Sequence, residues 1–131
     1  MTEPTETATM IKLMLVIKQR QDLSPEEFHR YWLEEHGPLA RDLLTSLGAR
    51  RYVQTHTTGG ELNDALAATR GTIEAYDGLA EVWWDSLDAL LAAVGSEEGQ
   101  RVNATLAEDE ARFIDLERSS FFITEEHVFI G

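Results

Sequence analysis

The stretch FHRYWLEEHGPL, Phe28 to Leu39, carries an imidazole where a helix should be apolar. Taking Phe28 as the origin of a helical wheel with about 100° per residue, Trp32 falls near 40°, His36 near 80° and His29 near 100°. His36 therefore points inward with the aromatics. An inward imidazole that titrates near neutral pH suits general acid/base work. The plainer alternative is a histidine that bonds a helix-end carbonyl and gains from the helix dipole. Gly37 in a left-handed conformation and Pro38 opening a new helix predict a break directly after His36.

A second group of candidates sits in two strand-like segments, RYVQTH and LAEVWWD. Tyr52, Gln54 and His56 have the hydrogen-bonding capacity to orient a phenolic or carbonyl ligand, and Trp32 and Trp83 could supply flat apolar walls. Alternatively the aromatics are interface core and the polar groups pair with one another. Glu81 could assist His36, or could simply pair with Lys12 on the neighbouring strand. His36, His56 and Glu81 could also meet around a metal. The chain has no cysteine and no H-E-x-x-H spacing, however, so no metal site is expected. No haem attachment motif accompanies the histidines, and GTIEAYDG has neither a G-x-G-x-x-G pattern nor a Walker lysine; no cofactor is expected. His127, beside Glu125 and Glu126, reads as an interface or bend residue.

These residues must be positioned by a small set of elements. MIKLMLVIK, Met10 to Lys18, is an apolar, branched run that reads as a strand, with Ile11, Leu13, Leu15 and Ile17 on one face. LSPEEF holds a helix start: Ser24 as N-cap, Pro25 at the first position and Glu27 completing a capping box. That helix should reach about Glu35 and resume as PLARDLLTSL. Ala49 to Thr58 reads as the second strand, residues 59–78 as a long connection with one or two helical turns, and Leu79 to Asp85 as the third strand. A helix capped by Asp85-Ser86, another from Glu97 to about Leu116, and a long final strand SSFFITEEHVFI with a bend at Glu125-Glu126 complete the chain. The order strand, helix, strand, strand, helix, strand is the ferredoxin-like plan, an α+β fold with a four-stranded antiparallel sheet.

Glu81 orients the third strand, because an unpaired carboxylate in a helix-covered core is costly. Ala80, Val82 and Trp84 then face the helices. Leu79, Glu81 and Trp83 face the open side, joined by Lys12, Met14 and Val16 and, by the same reasoning, by Tyr52, Gln54 and His56. Such a face is too apolar to remain wet. A second copy of the sheet across a two-fold axis is the simplest cover, giving a homodimer closed into a barrel.

Composition bounds the partners. Eleven basic residues against 24 acidic ones give a net charge of −13, which repels phosphate, so no nucleic acid and no anionic membrane surface is expected to bind. The opening MTEPTETAT has neither the basic nor the apolar segment of a signal peptide, and no apolar run approaches the ~20 residues of a membrane span. A cytoplasmic protein is expected. Residues 1–9 read as a flexible lead-in and residues 10–131 as one domain.

SPEEFHRYWLEEHGPL, RYVQTH, YDGLAEVWWDSLDAL and LAEDEARFIDLERS with TEEHVFI occur in order between Met10 and Ile130. Together they resemble the EthD-type domains of the dimeric α+β barrel superfamily. The resemblance implies a ferredoxin-like βαββαβ monomer that dimerises through its sheet, with a pocket between sheet and helices. Members of that family include accessory proteins of oxidative degradation pathways and fungal relatives that look like cofactor-free dehydratases or decarboxylases of aromatic polyketides. Fold and family do not fix the reaction. Carried over by position, the histidine before Gly-Pro is His36, the Gln-x-His pair is Gln54 and His56, and the third strand contributes Glu81 and Trp83.

The expected function is binding of a small, largely apolar oxygenated ligand by Trp32, Tyr52, Gln54, Glu81 and Trp83. His36 and His56 would catalyse a cofactor-independent dehydration, decarboxylation or isomerisation of an oxygenated aromatic or polyketide-like compound. The competing classes are a non-catalytic accessory protein and a cofactor-free monooxygenase. A closed pocket of a few hundred Å³ containing His36 would favour an enzyme, and a filled interior a structural role.

Overall fold

A computed structural model describes residues 10–131; the lead-in expected over residues 1–9 lies outside the described residues. Four strands, β1 (Ile11–Ile17), β2 (Arg51–His56), β3 (Gly78–Trp84) and β4 (Ser120–Glu125), form one antiparallel sheet in the order β2-β3-β1-β4. This is the ferredoxin-like arrangement. The helical elements are α1 (Pro25–Arg30), a π-helical turn (Tyr31–His36), α2 (Gly37–Ser46), α3 (Gly60–Arg70), α4 (Leu87–Gly95), α5 (Glu97–Glu110) and a 3-10 turn (Leu116–Arg118).

The alternation read from β1 and β3 holds. Leu13 pairs with Val82 and Leu15 with Ala80, and this side of the sheet packs on Phe28, Trp32, Phe113 and Ile114, with Trp84 and Leu90 in an adjoining cluster. The α1 start also forms as expected. The Glu27 N–H donates to Ser24 Oγ at 3.1 Å while the Ser24 N–H donates to Glu27 Oε1 at 2.9 Å. Gly78 is demanded by packing: a Cβ there would overlap the Trp32 ring and come within 2.9 Å of the Thr55 carbonyl oxygen. The start of β3 and the Trp32 ring thus meet at a residue with no side chain.

The expected break after His36 is absent. Gly37 is right-handed helical, at φ −55° and ψ −52°, and the helix runs unbroken from α1 through the π-helical turn into α2. The Gly37 N–H bonds the Trp32 carbonyl, five residues back. A proline within a helix clashes with a carbonyl one turn earlier, and widening the preceding turn relieves that clash without ending the helix. The imidazole of His36 is therefore fixed by a continuous helix rather than by a helix end.

Three other boundaries differ. The 59–78 connection contains an 11-residue helix, α3, delimited by left-handed Gly59 and Gly71, with none of its residues buried. Helix α5 ends at Glu110, and Phe113 follows it in a turn yet is fully buried. The final strand stops at Glu125, where two adjacent charges end the pairing, and Phe129 and Ile130 are exposed.

Candidate functional site

Register decides which side of the sheet each candidate occupies. Tyr52 pairs with Val82, Gln54 with Ala80 and His56 with Gly78, so these three side chains face the helices and not the open side. The expectation for β2 was off by one face; Arg51, Val53 and Thr55 occupy the open side instead. Inward polar groups are tolerated here because each finds a partner. Gln54 Nε2 donates to the Trp32 carbonyl at 2.8 Å and to Tyr52 Oη at 2.9 Å, and Gln54 Oε1 lies 2.7 Å from His56 Nε2.

These contacts assign protons. The Trp32 carbonyl can only accept, so it holds the amide nitrogen of Gln54 on its side and turns Oε1 toward His56. His56 Nε2 must then carry hydrogen. In the neutral ring its Nδ1 is an acceptor, and His29 Nδ1, 2.7 Å away, must be the donor. Trp32 stacks on His56 with ring centroids 4.1 Å apart. Burial lowers the pKa of both histidines; the neighbouring imidazole lowers that of His56 further, while Asp77 partly restores that of His29.

A second cluster surrounds His36, which is buried at 5% exposure. Its Nδ1 lies 2.7 Å from Asp109 Oδ2, and the other carboxylate oxygen accepts the Tyr31 hydroxyl at 2.5 Å. Arg112 reaches the same carboxylate at 3.5 Å. An ionised carboxylate only accepts, so Nδ1 carries the hydrogen and Nε2 is left as the basic nitrogen. Burial lowers the His36 pKa and outweighs the raising effect of Asp109; the ring is a neutral base at physiological pH. Burial pushes the Tyr31 hydroxyl up to about 12, with its bond to Asp109 acting the same way.

His36, Glu110, Tyr52 and Trp32 line one enclosed cavity between sheet and helices, otherwise walled by aliphatic residues such as Leu13, Leu15 and Leu106. Burial, followed by repulsion from Asp109, raises the Glu110 carboxyl to about 7. An acid poised near neutrality and a neutral imidazole thus share one apolar chamber. Its volume is about 50 Å³, room for a few water molecules and well short of the few hundred Å³ that a bound aromatic needs.

Glu81 and Trp83 lie across the sheet from this cavity. Lys12 Nζ is 2.7 Å from Glu81 and 3.1 Å from Glu126, and the Trp83 indole donates to Glu126 at 3.3 Å. Lys12 and Arg51 both stack over the Trp83 ring at 5.0 Å. The structure brings Trp32, His36, Tyr52, Gln54 and His56 together and separates Glu81 and Trp83 from them. For Glu81 the ion pair with Lys12 is what the geometry shows.

Comparison with protein families matches the EthD domain over residues 20–117. The chain belongs to the EthD family. Among solved structures, an EthD family protein from Bacillus halodurans is similar at 23% identity and a TM-score of 0.61, covering 90% of this chain and 99% of its own. A dimeric ferredoxin-like protein of unknown function from Bacteroides fragilis is similar at 14% identity and a TM-score of 0.59, covering 89% and 96%. SnoaB from Streptomyces nogalater, a cofactor-independent oxygenase, is similar at 11% identity and a TM-score of 0.56, covering 94% and 98%. At such identities the likeness is one of fold. A comparison with curated proteins finds no match.

In this EthD domain, sequence reasoning missed Asp109, Glu110, His29 and Tyr31 as members of the site. A signal for two of them was present. On a wheel that starts at Val102, Leu106 falls near 40°, Phe113 near 20°, Asp109 near −20° and Glu110 near 80°, at about 100° per residue. Two carboxylates inside the apolar arc of α5 are the same anomaly that singled out His36. Among the described residues, no group of three or more His, Asp or Glu is placed to hold a metal, and no helix is long and apolar enough to cross a membrane.

Proposed function

We propose that this EthD domain binds a small, largely apolar oxygenated molecule between its sheet and helices and catalyses cofactor-independent proton transfer on it. The observation that carries this reading is the pairing of His36 with Asp109 in the same cavity as Glu110. His36 Nε2 would take a proton from carbon beside a carbonyl. Glu110, protonated near neutral pH, would deliver one to a departing hydroxyl, releasing water in a dehydration, or back to carbon in an isomerisation. Tyr52 and Gln54 would orient the ligand oxygen, with Trp32 as an apolar wall and His56 holding Gln54 in place. Leu44 and Tyr52 separate the cavity from an open cleft outside it, and ligand binding requires these two side chains to part and the cavity to widen well beyond its volume of about 50 Å³.

The functional unit of this reading is a homodimer. The open face of the sheet carries Met14, Val16, Val53, Leu79 and Phe122, and the last of these is 42% exposed. A second sheet would bury that surface, and Lys12, Glu81, Trp83 and Glu126 would then belong to the interface and not to catalysis.

The test is hydrogen–deuterium exchange at the acidic carbon of a small phenyl ketone, followed by NMR. Wild-type protein should accelerate exchange, and His36→Ala and Glu110→Gln should each lose roughly a hundredfold or more. Exchange that is unchanged in His36→Ala rejects the catalytic assignment. Binding of the ketone with no exchange in the wild type would instead select the carrier class.

A further inference from the structure

The cleft outside the cavity has a basic lining in a strongly acidic protein. It has a volume of about 490 Å³ and lies between α2 and the start of β2. Arg41, Arg50 and Arg51 line it, three of the chain's eleven basic residues, and no Asp or Glu does so among the described residues. The guanidinium of Arg51 is already stacked over Trp83 on the other face of the sheet. Arg41 and Arg50 are held only loosely, by Asp42 at 2.9 Å and by Asp85 at 3.4 Å, in pairs whose side chains are 62–70% exposed. Exposed ion pairs of this kind contribute little and are easily exchanged for a better-placed anion.

Beyond the arginines the cleft is mainly apolar, with Thr45 and Gln54 as its other polar lining besides Tyr52. Leu33, Pro38 and Leu44 form its walls, and Leu44 and Tyr52 are shared with the cavity that holds His36 and Glu110. Only the Leu44 and Tyr52 side chains therefore stand between two available guanidiniums and an acid/base pair.

We infer that the ligand is a small carboxylic acid whose carboxylate rests on Arg41 and Arg50 at the mouth while its apolar, oxygen-bearing end passes Tyr52 into the cavity. This rests on the proposed use of the cavity and narrows it. Guanidinium is suited to planar carboxylates, and the surrounding negative field makes any anion that does bind depend on these two residues. A carboxylate held in the cleft is not the group presented to His36. Decarboxylation is thereby removed from the set of reactions, and elimination of water or isomerisation at the distal end remains.

The experiment compares benzoate with benzamide, its uncharged isostere, by calorimetric titration into the full-length protein. Benzoate should bind the wild type about tenfold more tightly, and the preference should shrink as salt is raised. In Arg41→Met/Arg50→Met, benzoate should fall to the benzamide level while benzamide is unaffected. Both substitutions are at exposed positions and should leave the fold intact. Leu106→Phe, which fills the cavity, should weaken both probes alike. Equal binding of the two probes to the wild type, or a preference that survives loss of both arginines, overturns the inference. Loss of benzamide binding in Leu106→Phe would in that case still support the cavity reading. Failure of both probes at millimolar concentration overturns the inference and the cavity reading together.

Discussion

His36 Nδ1 and Asp109 Oδ2 lie 2.7 Å apart, one ring from the π-helical turn and one carboxylate from the last turn of α5. The same carboxylate accepts the Tyr31 hydroxyl, so one anion satisfies two donors on the facing helix, the buried His36 and the partly buried Tyr31. Removing it leaves both without a partner. Asp109→Ala should cost about 2–4 kcal/mol, the expense of stranding two buried polar groups, and Asp109→Asn, which keeps an acceptor oxygen, about half as much. Urea unfolding with an unchanged denaturant dependence would measure both. Nitrogen-15 spectra of the His36 ring should show hydrogen on Nδ1 in the wild type and a mixture of tautomers in Asp109→Asn. A ring protonated on Nε2 in the wild type would reverse the assignment of the catalytic nitrogen.

Glu110 should make the protein less stable as pH rises. Its carboxyl titrates at about 7 in the fold and near 4.5 in the unfolded chain. Between those values the folded state binds the extra proton, so stability is full below about 4.5 and is lost as pH rises through 7. The difference corresponds to about 3 kcal/mol as an upper figure. Glu110→Gln should remove this loss, leaving the variant the more stable of the two at pH 8 and close to wild type at pH 5. Denaturant melts at the two pH values decide it. A variant no more stable at pH 8 would mean that Glu110 reaches water freely.

Much of this architecture was legible in the chain. The capping box at Ser24, the alternation in β1 and the polarity set by Glu81 each rest on a local rule, and each holds. What failed was where two rules compete. At His36-Gly37-Pro38 the helix-stopping tendency of glycine and proline lost to a continuous buried stripe, Phe28, Trp32, His36 and Ala40, which a widened turn keeps in register. In β2 the polar residues Gln54 and His56 suggested an outward face. Strand pairing set the parity the other way, and His29, Trp32 and Tyr52 supplied partners that no single segment reveals. The link between His36 and Asp109 spans most of the chain. Only the placement of both residues in apolar helix stripes announces it.

The contact between His29 and His56 should make stability fall in acid. Their Nδ1 atoms are 2.7 Å apart, and only one of the two can hold hydrogen in that contact. Burial lowers both pKa values, and His36 is lowered for the same reason. Below 6.5 the unfolded chain therefore binds protons that the fold refuses; this stability is complete above 6.5 and is lost as pH falls through the depressed folded values. Glu110 acts in the opposite direction over part of that range, so the measurement belongs in a Glu110→Gln background. There His29→Gln, whose amide can still donate to His56 without titrating, should flatten the decline between pH 7 and 5. His127→Gln, with a side chain 72% exposed, is the control. If the decline is equally steep in Glu110→Gln with and without His29→Gln, the two rings do not exclude a shared second proton, and the tautomers assigned through Gln54 are wrong.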